Sequence, residues 1–391
     1  MKIFVITLKI GKIGAGSIVF ENILKGLIKN GHDLYLLASE ISSDVKVQKL
    51  FVLKDEYTLP NKLAKISSII FRKSLEHFVW QKLVYLKHKN SINLINPDFV
   101  LVLAGRGTEG LVNLGMAFSK YMNAPLAVHL VDPIPPPEHY ENFEIYRKSL
   151  AFGIRKALRY ASLVSMGNPE MLVHQQKYLN FDIIKKSMVI RDPIDSEFSY
   201  FGPVTDSEIK RILFLGSFSS KRPPDNLIKA FAILCERLQN VELHIVGKNN
   251  LNLNKFNLSP VIKNKIVVKS WTNDIDSEIR AASILVDIDI DAVGDVFSSS
   301  KLKKYLFYDR IILCVTNVNS PSYNFLKQIK KTVLITSHDI NYIADSLTTL
   351  VEKEYKAENF TERVSLIDEL KSVNSTKKLS AQMDIILEVN I

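Results

Sequence analysis

Apolar runs rich in β-branched residues alternate with segments of helical periodicity along most of the chain, the pattern of stacked βα units on a largely parallel sheet. Continuous apolar runs place buried strands at KIFVITL (2–8), DLYLLAS (33–39), FVLVLAG (99–105), LAVHLVD (126–132) and LVSMG (163–167). Between the first two, SIVFENILKGLIKNG (17–31) has apolar positions at helical spacing and stops at Asn30-Gly31, a helix-ending pair. This half closes near VIRDPID (189–195). A second series then starts afresh with RILFLGS (211–217), a helix at NLIKAFAILCERL (226–238), and strands at VELHIVG (241–247), KIVVKS (265–270), SILVDID (283–289) and RIILCVT (310–316). After Asp339 the pattern is helical. The simplest architecture is two successive open α/β domains, 1–195 and 196–365, followed by a helical segment, 366–391, placed to pack back on the first domain. Ligands of such sheets sit outside the carboxyl ends of the strands, so the loops there are where chemistry is sought.

Composition narrows the class. The chain has 391 residues, too many for one ordinary core, and 47% are hydrophobic, enough for two. MKIFVITLKI is apolar but short and lacks a cleavage-type small-residue site, so it reads as a first strand and not a signal peptide. No apolar run approaches the roughly 20 residues of a transmembrane helix. Only Cys235 and Cys314 occur, each in an apolar segment, which suits a reducing cytoplasm and gives no support to a disulfide framework or thiolate metal site. The net charge of +10 favours a polyanionic neighbour: a phospholipid surface, a nucleotide or a nucleic acid. No helix-turn-helix, zinc-finger or RNP-type motif is present, which makes nucleic acid the minor reading. In KLAKISSIIFRKSLEHFVWQKLVYLKHK (62–89), lysines and arginine interleave with Phe71, Phe78, Trp80 and Tyr85. That pattern suits an anionic membrane interface, and equally a helix with its apolar stripe on the core.

Five stretches carry or could carry candidate chemistry. KIGKIGAGSIVF (9–20) sets Gly11, Gly14 and Gly16 before a helix, without the Rossmann fingerprint spacing; tight-turn geometry and ligand contact both explain it. In LGSFSSKRPPDNLIKAF (215–231) a strand ends at Gly216, a polar loop carries Lys221 and Arg222, and two prolines lead into a helix that Asp225 is placed to cap. Adjacent cations at a strand end suit a diphosphate, and a solvated surface pair looks the same. DVFSSSKLKKYL (295–306) puts three serines and Lys301 at a helix entrance, either as an anion seat or as a serine N-cap with a solvated lysine. DPIPPPEHY (132–140) forms a stiff loop, since each proline fixes φ. DIDIDAVGD (287–295) is acidic, but strand alternation argues against a metal cage of Asp287, Asp289 and Asp291.

The order of these blocks, the glycine loop, NGHDL (30–34), LGSFSSKRPPDNLIKAF, VELHIVG, SWTNDIDSEIRAASILV and FSSSKLKKYL, resembles a GT-B glycosyltransferase of the family 4 type from Met1 to about Asp339. The resemblance implies an α/β GT-B fold, two Rossmann-like domains facing each other across a cleft, with the acceptor held by the first and a nucleotide-sugar by the second. It implies transfer from a nucleoside-diphosphate sugar of UDP or GDP type to a glycan or lipid-linked glycan, as in cell-surface polysaccharide synthesis. Retention of configuration, independence of metal and cofactor, and a place in the cytoplasm or on the inner membrane face come with it.

Carried over by position, the family's phosphate-binding lysine falls on Arg222, beside Lys221, and the arginine of the same turn falls on Ser217. The donor set is then Gly14, Gly16, Gly216, Ser217, Lys221, Arg222, the nucleobase loop Ser270, Trp271 and Thr272, and the serine-lysine-leucine turn Ser299, Ser300, Lys301 and Leu302. The catalytic set is Arg222 and Lys301 with Asp132, which matches the aspartate of a histidine-aspartate pair, and His129, two residues before the histidine position that Val131 occupies. The family's paired glutamates fall on Val296 and Lys304. These departures keep two other readings open, a non-catalytic GT-B-like binding protein and a nucleotide-sugar epimerase, ahead of a dinucleotide-dependent dehydrogenase.

Overall fold

The computed structural model describes residues 1–11, 14–53, 66–67, 69–70, 75–202, 209–248, 251–272, 274–353 and 355–389, with backbone alone for 75–79. It forms two compact units, Met1–Asp195 with Glu369–Ile391, and Ser196–Asp368.

The first unit has strands β1 (Lys2–Ile6), β2 (Lys9–Gly11), β3 (Asp33–Ala38), β4 (Glu40–Ser42), β5 (Lys49–Val52), β6 (Phe99–Ala104), β7 (Leu126–Leu130), β8 (Leu163–Met166) and β9 (Ser187–Val189). Seven make one parallel sheet in the order β5-β3-β1-β6-β7-β8-β9. The central strands are buried along their whole length, as two-sided coverage by helices requires. β2 and β4 form a separate parallel pair. There the φ of Gly11 is +99°, and a Cβ would lie 2.5 Å from the carbonyl oxygen of Ser42. Close backbone approach explains that glycine. Glu40 of β4 is ion-paired with Lys9 of β2 at 3.0 Å.

The helix Ala15–Lys29 lays Val19, Phe20, Ile23, Leu24 and Leu27 on this sheet. Its outer side meets the helix Ser372–Val389, whose Leu379 and Met383 join the same core. The contact is close because position 26 is glycine: a Cβ there would overlap the carbonyl oxygen of Ser372. Asn30 donates to Val373 O (3.0 Å) and Thr376 Oγ1 (2.9 Å).

The second unit has strands β10 (Lys210–Leu215), β11 (Val241–Val246), β12 (Ile266–Lys269), β13 (Ile284–Ile288), β14 (Ile311–Val315) and β15 (Val333–Thr336). They form a parallel sheet in the order β12-β11-β10-β13-β14-β15. The order reverses beside β10, so the loops after β10 and β13 splay apart at the carboxyl edge, the usual ligand position in a doubly wound sheet. The first sheet follows the same scheme with β1 in the β10 role. The helices Asp225–Arg237 and Ile340–Glu352 cover one face with Leu227, Phe231, Leu234, Ile343 and Leu347.

The strands read from the sequence are all present, ending one or two residues earlier than their apolar runs. β2, β4, β5, β9 and β15 are additional. Of the basic-aromatic stretch, residues 62–65, 68 and 71–74, with Lys62, Lys65, Phe71, Arg72 and Lys73, lie outside the described residues, as does the side chain of Phe78. In the helix Leu75–Asn93, Trp80, Val84 and Ile92 are buried, and the Tyr85 ring lies 5.3 Å from Phe118 and 5.8 Å from Tyr121. Trp80 and Tyr85 of that stretch therefore face the core, while Leu83, Leu86 and Lys87 face outward. Among the described residues, no helix is long and apolar enough to cross a membrane.

Candidate functional site

The second unit's site is built at the carboxyl ends of β10 and β13. β10 ends at Leu215, and Gly216 turns the chain at φ +121°, a conformation that side chains beyond glycine rarely adopt. A Cβ at this position would sit 3.1 Å from the Lys301 ammonium. Phe218 then stacks on Phe214 with ring centroids 4.3 Å apart, and residues 219–222 close into a small turn in which Ser219 and Arg222 exchange backbone hydrogen bonds of 3.1 and 3.0 Å. Pro224 occupies the N-cap position of the following helix and Asp225 is its first residue, so the sequence-based placement of Asp225 as cap is corrected by one position. Asp225 still puts negative charge on the positive end of that helix.

Ser299 caps the helix Ser300–Tyr305: its hydroxyl accepts from Leu302 N at 3.4 Å and donates to Asp287 Oδ1 at 2.9 Å. Lys301 is no solvated lysine. Its ammonium donates to Leu215 O at 2.8 Å, stands 3.4 Å from Asp287 Oδ1, and lies 4.4 Å from the centre of the Phe214 ring. Burial lowers its pKa, and Arg222 lowers it too, against the opposing pull of Asp287 and Asp289. Arg222 is thus close enough to act on Lys301, and its guanidinium has no hydrogen-bond or ion-pair partner among the described residues. Leu302 is fully buried and packs in the core.

Beside this corner, a pocket of about 810 Å³ opens past β10, β11 and β12. Its walls are Phe218, Ser219, Pro223 and Pro224, Gly247 and Lys248 after β11, and Val268 to Trp271 at the end of β12. Ser270 and Trp271, read from the sequence as nucleobase contacts, line it, and the Trp271 ring is half exposed there. Thr272 turns away to accept from Asp274 N at 3.1 Å. Ser217 is exposed after Gly216. Val296, at one of the family's glutamate positions, is buried in the core, and Lys304 is half-buried.

Asp287 is the residue that sequence reasoning left out of the donor and catalytic sets. It is fully buried, binds Ser299 and Lys301 through Oδ1, and leaves Oδ2 without a hydrogen-bond partner among the described residues. Asp289 lies beyond the strand end, accepts from Thr316 Oγ1 at 2.8 Å, and has its pKa pushed up to about 7 by burial and by Asp287. Asp291 is exposed and accepts from Asn317. Among the described residues no group of three or more His, Cys, Asp or Glu side chains is arranged to hold a metal ion. Tyr305 was missed as well: its hydroxyl accepts from Leu215 N at 3.3 Å from a fully enclosed position.

In the first unit, Asp132 follows β7 and its Oδ2 receives Arg106 N at 3.5 Å; burial raises its pKa, helped by Asp192 and Glu109. Gly105 is required beside it, since a Cβ would come 2.7 Å from Val131 Cγ1 and 3.2 Å from Asp132 Oδ2. His129 is enclosed within β7. Its Nδ1 meets Ser165 Oγ of β8 at 3.0 Å, its Nε2 has no partner among the described residues, and burial holds its pKa down at about 4, so it is neutral near pH 7. Among the described residues no hydrogen bond joins His129 to Asp132. The proline loop after Asp132 is pinned by Gln175, which exchanges bonds with Ile134 N (2.9 Å) and O (2.6 Å), and by His174, 3.0 Å from Pro135 O. Gly14 is exposed before the helix Ala15–Lys29, and Gly16 packs against Val131, 3.5 Å from where its Cβ would be. Ser17 donates back to Gly11 O and Gly14 O.

Residues 196–287 match the family model of glycosyl transferases group 1. No curated protein matches the sequence. Among solved structures, HepE from Anabaena in complex with UDP superposes with a TM-score of 0.66 at 13% identity, over 98% of this chain and 100% of that one. WaaG, a glycosyltransferase involved in lipopolysaccharide biosynthesis, gives 0.59 at 14% identity over 99% of each. A putative UDP-N-acetylglucosamine 2-epimerase from Listeria monocytogenes gives 0.57 at 11% identity, over 99% and 96%. At these identities the likeness concerns the fold: both sheets are of the Rossmann-like GT-B kind.

Proposed function

We propose that the chain, with its group 1 segment carried on a GT-B fold, is a glycosyltransferase that moves a sugar from a nucleoside-diphosphate donor of UDP type to a glycan or lipid-linked glycan, with retention of configuration and without a metal. The observation that carries this reading is the meeting of Lys301, Gly216 and Arg222 at the carboxyl end of β10, beside an open pocket with Trp271 on its wall.

A nucleobase in that pocket has an aromatic face to stack on, and a diphosphate reaching toward Gly216 meets two cations. When the glycosidic bond to the diphosphate breaks, negative charge builds on the leaving oxygen. Fixed cations at that point stabilise the transition state more than the ground state, which is what accelerates the step. Arg222 supplies a planar fork for two phosphate oxygens, and Lys301 a point charge already oriented by Leu215 O. With Val296 and Lys304 in place of carboxylates, the leaving group and not a protein nucleophile is the centre of catalysis in this reading. In the first unit, Asp132 is the acceptor-side group within reach of solvent, and His129 stands behind it in the core.

Exposed Leu83, Leu86 and Lys87 give the first unit a surface suited to an anionic membrane, which would bring a lipid-linked acceptor to the enzyme. Calorimetric titration with UDP, GDP, CMP, ADP and dTDP, with and without magnesium, tests the donor assignment. Micromolar binding of UDP, indifferent to magnesium, is expected. Unchanged UDP affinity in both Arg222→Ala and Lys301→Ala would refute the phosphate seat. Turnover of donor without acceptor into an epimeric nucleotide-sugar would replace transfer by epimerisation.

A further inference from the structure

We propose that Asp287 is a positioning residue that keeps Lys301 charged and aimed at the donor diphosphate, so that nucleotide binding is insensitive to pH across the physiological range. The inference rests on the reading of Lys301 as a phosphate ligand and adds the device that makes it one.

The geometry is specific. Asp287 lies on the central strand β13 and has no exposed surface. Its Oδ1 takes the Ser299 hydroxyl at 2.9 Å and faces the Lys301 ammonium at 3.4 Å. Ser299 in turn caps the helix that carries Lys301, so one carboxylate oxygen fixes both the start of that helix and the cation on its first turn. An ammonium has three donors. One is spent on Leu215 O and one faces Asp287, which leaves one for a ligand oxygen.

A lysine largely enclosed at the carboxyl ends of the strands tends to lose its proton, because burial penalises the charged form. The groups that face Lys301 are Arg222 from the loop after β10, which adds to that tendency, and Asp287 and Asp289 from β13 and its end, which oppose it. Asp287 is the only one of these in ion-pair distance. Asp289 accepts from Thr316 and sits farther along the chain, where it cannot take over the Oδ1 position. Without the Asp287 charge, burial and Arg222 are opposed by Asp289 alone. Lys301 would then lose its proton as pH rises through a lowered pKa, and the diphosphate would lose its partner with it.

The test is UDP affinity measured from pH 6 to pH 9 for wild type, Asp287→Asn and the double variant Asp287→Asn/Lys301→Arg, each expressed relative to wild type at the same pH so that the titration of UDP itself cancels. Asp287→Asn is expected to bind nearly as wild type at pH 6 and about tenfold more weakly by pH 9, the loss of one charge-assisted contact. The double variant should hold a constant ratio, since a guanidinium stays charged throughout. A merely structural role for Asp287 lowers affinity equally at every pH, and that result overturns the inference. Should Asp287→Asn fail to fold, Asp287→Ser removes the charge while leaving room for a water and carries the same comparison. A wild-type protein that binds no nucleoside diphosphate fails at the earlier step and overturns the donor reading; UDP-binding wild type with an Asp287→Asn profile parallel to it overturns this inference alone.

Discussion

The pairing of Lys301 with Asp287 predicts a measurable coupling in the stability of the second unit. At 3.4 Å the Coulomb attraction of two unit charges is about 5 kcal/mol at an effective dielectric near 20 and about 2 kcal/mol near 45. Asp287 is fully buried but the Lys301 side chain is 29% exposed, so water screens the pair from one side and the lower figure is the better guide. Removing either partner alone also strands the other: Lys301→Met leaves a buried carboxylate and Leu215 O without their cation, and Asp287→Asn leaves the ammonium and the Ser299 hydroxyl with a neutral neighbour. The double variant strands neither charge. A double-mutant cycle on urea unfolding should therefore return a coupling of about 2 kcal/mol, the two single costs adding to more than the double cost. The chain has two tryptophans, Trp80 in the first unit and Trp271 in the second, so a Trp80→Phe background lets Trp271 fluorescence report the second unit alone. A coupling below about 0.5 kcal/mol, within the additivity expected of independent sites, would refute the pairing as an energetic unit.

Gly216→Ala forces a side chain into φ +121° and sets a Cβ 3.1 Å from Lys301; the flexible ammonium can give way but the backbone cannot, so the unfolding free energy should fall by about 1–3 kcal/mol, and an unchanged urea midpoint refutes the strain. Trp271→Ala should weaken UDP binding by about 1–3 kcal/mol through lost stacking while leaving the unfolding midpoint in place, and equal affinity by calorimetry refutes its role as the base platform. The Asp289 carboxyl, held up at about 7 by burial and Asp287, keeps in the folded state a proton that the unfolded chain releases near pH 4. That stabilisation is complete below about pH 4 and lost as pH rises through about 7, so Asp289→Asn should flatten the decline in melting temperature between pH 5 and pH 8, and a slope equal to wild type refutes it.

The fold was legible wherever a strand is buried on both faces. β6 and β14 are continuous apolar runs, and β7 and β13 are broken only by His129 and Asp287, because helices cover both sides, and such runs need no periodicity to be seen. The strands that escaped detection lie at the margins. β5, β9 and β15 are sheet edges of three or four residues; in KLFV only Phe51 is buried, and in SMV none of the three is. An edge strand has water on one side, so its side chains carry no obligatory apolar signal. The ending of each run one or two residues early has the same origin in reverse: Gly216, Gly105 and Gly167 continue the apolar stretch but already belong to the turns.

The site was legible at the level of residue type and illegible at the level of partnership. Lysine and serines at a helix entrance pointed to the right corner, yet sequence alone offered a capping serine and an anion seat as rivals, and the structure makes Ser299 the cap and Lys301 an inward-turned cation at once. What joins those two roles is Asp287, twelve residues before Ser299 on a different element, and its contribution depends on β13 lying next to β10. In the stretch DIDID the three aspartates are equivalent as letters. Their fates diverge only because β13 ends between Asp287 and Asp289: the first remains within the sheet and meets Lys301, the second reaches Thr316 beyond it, and the third is out in solvent. A carboxylate so enclosed is costly unless a cation compensates it. The cation that compensates Asp287 is the same one offered to the diphosphate, so the donor seat and the stability of the carboxyl ends of β10 and β13 draw on a single ion pair, and substitutions there should be expected to change both.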